Sequence, residues 1–229
     1  MSPDVRTIRF GQRAMFEMEA QWRIDGVERA LEHLDAFLPH AKDQAFLRKS
    51  QELTSAKEQF DREAIEAEIE MMELEWLGRF PANFYGSLVV LLWAETEKII
   101  ERFAAEVKAA KQIGLAFADT NGSSAYSRLR KYVEAVLGTL LPENSAIEDL
   151  EFLRNLYAHH GGDVTGQSEG RMKRVKAILR TRAGVTQFDE FVIADSTYIL
   201  SAIHATYGLI KALRAAHPST EPDVIELQT

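Results

Sequence analysis

The sequence contains no cysteine and no long hydrophobic run. Without cysteine the chain forms no disulfide bond and no thiolate site, which fits a reducing compartment, and we expect a cytoplasmic protein. The longest apolar run, residues 88–94, is far too short to cross a bilayer. The first residues lack a basic segment followed by an apolar core, so no signal peptide is expected. No membrane association is therefore predicted.

A surplus of basic residues is missing as well. The chain has 27 lysines and arginines against 35 aspartates and glutamates, and its formal net charge is −8 at pH 7. This charge disfavours nonspecific nucleic-acid binding by the whole surface, but it leaves room for a local basic patch. The sequence also lacks a phosphate-binding glycine loop, a dinucleotide fingerprint, a zinc-ligand spacing and a nucleophile elbow. We therefore expect neither a cofactor nor a metal ion.

Helical periodicity dominates the sequence and predicts an all-α protein. Residues 1–11 are expected to form an irregular arm. Apolar residues then recur at helical spacing over residues 12–38, and Pro39 is expected to end this first helix. A second helix is predicted over residues 42–77, antiparallel to the first. Its densely acidic part, residues 57–75, indicates a solvated face, with metal ligation or nucleic-acid mimicry as the alternatives.

The stretch of residues 150–162 places more chemistry in a short space than any other part of the chain. It lies in a predicted helix from about Ala146 to His160. Asn144 and Ser145 are good residues to cap its start, and Ser145 with Glu148 fits a capping box. Gly161 is expected to end the helix in a left-handed conformation.

Apolar and polar residues occupy opposite sides of this helix at about 100° per residue. The apolar side contains Ala146, Ile147, Leu150, Leu153 and Tyr157, and the polar side contains Glu148, Glu151, Asn155 and His159. Asn155 and His159 are four residues apart and are expected to be neighbours on one face. Arg154 lies at the edge of the apolar side, where its permanent charge requires a partner or water.

The sequence Arg-Asn-Leu-Tyr-Ala-His at residues 154–159, followed by two glycines, resembles the motif of HEPN domains. Residues 84–103, with a small polar residue early and a glutamate late, resemble the first core helix of that family. Residues 185–213 resemble its closing section, a short irregular piece followed by a long amphipathic helix. From the residues themselves, two short strand-like pieces are expected within residues 185–193, and Asp195 or Ser196 is expected to cap a helix that runs to about Ala216. The resemblance covers about residues 81–216.

The resemblance implies a HEPN-like antiparallel helical bundle. The chain is then expected to consist of an amino-terminal helical hairpin over residues 1–80, a HEPN-like domain over residues 81–217 and a tail over residues 218–229. The sequence of the hairpin does not decide whether it enlarges a dimer interface or receives an antitoxin or another regulatory protein.

Arg154, Asn155 and His159 are the candidate catalytic residues, with His160 in support. A histidine with a near-neutral pKa can take a proton from a ribose 2′-hydroxyl or give one to a leaving oxygen. An arginine can stabilise charge on a phosphate, and the asparagine can orient either group. Metal-independent RNA cleavage needs a general acid and a general base, so a symmetric dimer would have to supply two histidines.

The resemblance implies the same arrangement, because HEPN ribonucleases typically build their cleft from two motifs, and many act as toxins or in phage defence. The alternative is a noncatalytic helical interaction or nucleotide-binding module. In that case the histidine would only interact favourably with the helix dipole, and the arginine would form a buried ion pair.

Two further features bear on the site. Glu97 matches the late glutamate of the first core helix and is either a partner for Arg154 or a surface carboxylate. Residues 171–182 are rich in cations and contain no acidic residue. This run is either a solvated helix face or an RNA phosphate-binding patch beside the motif, and the candidate contacts are Arg171, Lys173, Arg174 and Lys176.

Overall fold

A computed structural model describes residues 7–219 and 224–227. Its helices are α1 (Gln12–Ser55), α2 (Gln59–Leu77), α3 (Arg79–Lys111), α4 (Ala125–Leu137), α5 (Ser145–His160), α6 (Glu169–Thr181) and α7 (Ser196–Ala216). The short strands are β1 (Thr7–Phe10), β2 (Val185–Phe188), β3 (Phe191–Ala194) and β4 (Val224–Leu227), and they pair antiparallel, β1 with β4 and β2 with β3. The predicted all-α class is confirmed. In the described part of the chain, no helix combines the length and apolar character needed to cross a membrane.

The chain divides into two compact units. Unit one consists of Met1–Gly26, Leu92–Glu151 and Ala202–Thr229, and unit two consists of Val27–Leu91 and Phe152–Ser201. Each unit takes one part of α1, α3, α5 and α7. The boundary predicted before Pro81 lies inside unit two, and the predicted domain division stays a prediction.

Helix α1 continues through Pro39, so the predicted end of the first helix was wrong. A proline inside a helix lacks the amide that bonds to the carbonyl four residues earlier, at a cost of about 3 kcal/mol. Here the proline is exposed and the residues around it are mostly good helix formers, which favours continuation. The predicted start of the second helix at residue 42 was wrong for the same reason, since α1 and α2 are separated by residues 56–58 and the hairpin turns there. Across it, Lys49 Nζ lies 2.5 Å from Glu68 Oε2.

The predicted irregular arm and tail contain paired strands, which is a second correction. In β1 and β4, Thr7 lies opposite Leu227 and Phe10 lies opposite Val224. Both segments combine β-branched and other large apolar residues, which suit a strand. Residues 1–6, 220–223 and 228–229 of the predicted arm and tail lie outside the described residues.

Unit one contains a buried cluster of aromatic rings joined to an ion-pair network. The ring centroids of Phe16 and Phe103 are 5.7 Å apart, and the His217 ring lies 5.8 Å from that of Phe16. His217 Nε2 lies 2.7 Å from Glu106 Oε2, and Arg102 Nε donates to Glu106 Oε1 at 2.8 Å. Burial by itself would raise the pKa of Glu106, but the hydrogen bonds from His217 and Arg102 outweigh it and the pKa is lowered.

The closing section of the chain follows the sequence prediction closely. Strands β2 and β3 form the two expected strand-like pieces and pair from Val185 opposite Ala194 to Phe188 opposite Phe191. Asp195 then caps α7, because its Oδ1 accepts hydrogen bonds from the amides of Thr197 and Tyr198 at 2.8 and 3.2 Å.

Candidate functional site

The motif helix α5 has well-defined ends. The side chain of Asn144 accepts a hydrogen bond from the Ile147 amide at 3.3 Å, so Asn144 is the residue that caps the helix. At the other end, the Gly161 amide bonds to the Tyr157 carbonyl at 2.9 Å and the Gly162 amide reaches the Leu156 carbonyl at 3.5 Å. With a φ of 59° at Gly161, whose amide bonds to the carbonyl four residues earlier, this is the αL type of helix ending. The predicted position of the helix end is confirmed.

Tyr157 fixes this end of α5 within unit two. Its buried hydroxyl donates to the Val192 carbonyl at 3.1 Å and accepts from the Ala194 amide at 2.8 Å. Burial raises the pKa of this phenol, so it stays protonated and can donate. A Cβ atom added at Gly86 or Gly162 would lie only 2.5 or 2.9 Å from the tyrosine ring. The two glycines therefore permit a close approach that holds the ring in place.

The three predicted catalytic residues lie near the carboxyl end of α5 and differ in exposure. Arg154 and Asn155 are half-buried, whereas His159 is exposed. Arg154 Nη1 donates to Asn155 Oδ1 at 2.8 Å. The asparagine amide thus orients the guanidinium, a pairing that the sequence analysis did not anticipate. The ring of His159 lies edge-on to that of His160, with 6.5 Å between their centroids.

The predicted ion pair between Glu97 and Arg154 stays a prediction. Glu97 lies on α3 in unit one and is half-buried, and Arg154 belongs to unit two.

His160 contacts the beginning of α6. Arg171 Nη1 lies 3.3 Å from His160 Nε2 and also donates to Gln167 Oε1 at 2.8 Å. A guanidinium has no acceptor, so Nε2 of the histidine must accept in this contact. Of the predicted RNA contacts, Arg171 is the one that the structure brings directly to the end of the motif helix.

The other cations predicted to bind RNA lie along α6. Buried Val175 and Ile178 hold this helix against unit two. Lys176 is exposed and Arg174 is half-buried. Lys173 is exposed and lies 3.2 Å from Glu169, an acidic residue just before the cationic run. The charge of Lys173 is thus partly neutralised, and such an exposed pair contributes little to stability.

A cavity of about 550 Å³ in unit two has His160 in its wall. Four carboxylates line the same cavity, those of Glu75, Asp163, Asp189 and Glu190, against one arginine, Arg79, so the cavity wall is acidic on balance. Hydrogen bonds from Thr165 lower the pKa of Asp163, and the nearby His160 adds to that effect. The hydrogen bond that protonated Glu190 donates to the Asp189 carboxylate, together with the negative charges of Asp189 and Asp163, raises the pKa of Glu190. Such a group of carboxylates repels phosphate, so the cavity is a poor place for an RNA backbone.

The sequence analysis missed this cavity. Its carboxylates come from α2, from the turn after α5 and from the tip of the β2–β3 hairpin, and no spacing within the chain marks them as neighbours. Among the described residues, no group of three or more histidines and carboxylates is arranged to hold a metal ion.

No family model, no curated protein and no solved structure matches this chain. The fold defines the class as an all-α protein, and the resemblance to HEPN domains remains a prediction from the motif.

Proposed function

We propose that this protein is a HEPN-like, metal-independent endoribonuclease with a composite site made by two copies of the chain. The observation that carries the proposal is an exposed histidine, His159, near the end of a helix that also holds a half-buried Arg154. An exposed imidazole can exchange protons with a substrate near neutral pH. An arginine oriented by Asn155 offers a fixed positive charge to a phosphate.

In the proposed reaction, His159 of one copy takes the proton of a ribose 2′-hydroxyl. The 2′-oxygen then attacks the adjacent phosphorus, and the bond from phosphorus to the 5′-oxygen breaks. His159 of the second copy protonates that leaving oxygen, which leaves a 2′,3′-cyclic phosphate and a free 5′-hydroxyl. Arg154 stabilises the negative charge that builds up on the phosphate oxygens during the attack.

RNA binding in this proposal depends on α6. Arg171, Lys173, Arg174 and Lys176 would contact phosphates, so binding should weaken steeply with salt. A toxin or phage-defence role in the cytoplasm, with an antitoxin or another regulatory protein as a partner, belongs to the same proposal.

The test is incubation of the purified protein with mixed RNA in EDTA, followed by analysis of the RNA ends. We expect cleavage products with 2′,3′-cyclic phosphate ends and no cleavage by His159→Ala. His204→Ala is the matched control, because His204 is also an exposed histidine but lies on α7, outside the motif helix. Cleavage that persists in His159→Ala at the wild-type rate would refute the proposed role of this histidine.

A composite site made by two copies also requires that activity depend on dimer formation. Specific activity should rise with protein concentration in step with the dimer fraction measured by sedimentation. Activity that is independent of the dimer fraction would leave the single histidine of one copy without its second proton-transfer group.

A noncatalytic interaction module is the second candidate. It is favoured by the large apolar side chains that α2 exposes, among them Phe60 and Met71. A well-folded dimer that cleaves no RNA under any of these conditions would favour this candidate.

A further inference from the structure

Helix α2 carries two apolar stripes but buries no residue. One stripe consists of the half-buried Ile65, Ile69, Met72 and Trp76. The other consists of Phe60, Ala64, Ala67, Met71 and Leu74, all of which are exposed. In the second stripe the exposed fractions of Phe60, Met71 and Leu74 are 78, 60 and 52%. We call this second set the exposed stripe of α2.

The spacing of the exposed stripe is that of a helix packed against another helix. Its residues follow one another at intervals of four, three, four and three positions. This repeat keeps apolar side chains on one seam, which faces a partner helix in coiled-coil packing. Contiguous apolar surface of this kind in a folded protein marks an interaction site.

Carboxylates border the exposed stripe on both sides. At about 100° per residue, Glu63 and Glu70 lie along one edge, and Glu68 and Glu75 lie along the other. Arg62 is the single cation within the helix. A helix that fills this stripe therefore needs an apolar seam flanked by lysine or arginine, since like charges across the contact would repel.

A second copy of this chain fits the stripe poorly. Pairing α2 with another α2 would set acidic edges against acidic edges. The basic helix α6 of a second copy has the right charge, but its Val175 and Ile178 are already buried in their own unit. That helix offers cations without a free apolar seam.

We propose that the exposed stripe of α2 binds an amphipathic helix of a partner protein, one with basic residues on both sides of its apolar seam. Met71 and Leu74 also line the acidic cavity that contains His160. A helix bound along the stripe thus borders that cavity, and its cations meet the carboxylates there. The proposal does not depend on ribonuclease activity.

The test uses the full chain and a labelled synthetic helix of three heptads, with leucine at the seam and lysine at the flanking positions. Fluorescence anisotropy should show saturable binding. Two control peptides separate the contributions: one has glutamate in place of lysine, and the other has the same composition in a scrambled order. Neither control should bind with comparable affinity.

Variants of the protein locate the contact. The double variant Met71→Ser and Leu74→Ser should weaken binding by about tenfold or more, because two apolar side chains are lost from the contact. Glu63→Lys with Glu70→Lys should also weaken it. Leu140→Ser is the matched control, since Leu140 is 71% exposed and lies outside α2.

Absence of binding by the lysine-flanked peptide would overturn the proposal, and so would equal binding of the scrambled peptide. Unchanged affinity in the double variant would show that the peptide binds elsewhere. Sedimentation of the wild-type chain and of the double variant tests self-association. A wild-type dimer that dissociates in the double variant would show that the stripe binds a second copy of the chain instead of a partner helix.

Discussion

Replacing Tyr157 with phenylalanine tests what holds the motif helix in place. The substitution keeps the ring and removes only the hydroxyl, which donates to Val192 and accepts from Ala194. The Ala194 amide would then be left in the interior without its partner, because phenylalanine offers no acceptor. A buried group left without a hydrogen bond costs about 1–3 kcal/mol. We therefore expect Tyr157→Phe to lower the free energy of unfolding by about 2 kcal/mol.

The assay is urea unfolding followed by circular dichroism, together with hydrogen exchange of the Ala194 amide. Tyr85→Phe is a matched control in the same unit. Its hydroxyl makes one hydrogen bond, at 2.6 Å, to the carboxylate of Asp35, which is only half-buried and can be rehydrated. The control should lose less than about 1 kcal/mol. Equal losses in both variants, or unchanged exchange at Ala194, would refute the view that Tyr157 anchors α5 to β3.

Three further predictions follow from the packing and the charges. Gly86→Ala should lower the free energy of unfolding by about 1–3 kcal/mol, because the added methyl group would collide with the ring of Tyr157. Gly208→Ala, on α7, adds a methyl group in open space and should raise the free energy of unfolding by about 0.5–1 kcal/mol, and thermal melts measure both effects. The pKa of Glu106 is lowered in the folded protein, so its ionised carboxylate stabilises the fold above the usual pKa of 4.5, and this stabilisation is lost as pH falls through the pKa of the folded state. Glu106→Gln should remove that part of the pH dependence of the free energy of unfolding, measured by urea unfolding. Arg154→Ala should cost about 1 kcal/mol of stability and His159→Ala less than about 0.5 kcal/mol, and the reverse order would contradict their half-buried and exposed positions.

Much of the local structure could be predicted from the sequence, because local signals determine it. The glycine after His160 ends α5, and Asp195 caps α7, since both depend on residues within one turn of the helix end. The burial of Leu150 and Leu153 also followed from helical periodicity. At these positions the helix propensity, the capping residues and the apolar pattern all predict the same local structure.

The features that escaped prediction depend on contacts distant in the chain or on competing local terms. Strands β1 and β4 lie at opposite ends of the chain, and no pattern in either predicts their pairing. Pro39 predicts a helix end, but its exposed position and the surrounding helix formers allow α1 to continue. The bond from Arg171 to His160 and the hydrogen bonds of Tyr157 join segments that sequence spacing does not relate.

The distribution of charge around the end of α5 restricts how RNA can approach if the proposed activity is correct. Four carboxylates and one arginine line the cavity beside His160, so its net negative charge repels phosphates. The cations of α6 begin at Arg171, which itself contacts His160. An RNA strand that reaches the exposed His159 must therefore follow α6 and avoid the cavity. It follows that neutralising the cavity carboxylates should leave RNA affinity unchanged or raise it, whereas neutralising Lys176 should lower it and reduce its dependence on salt.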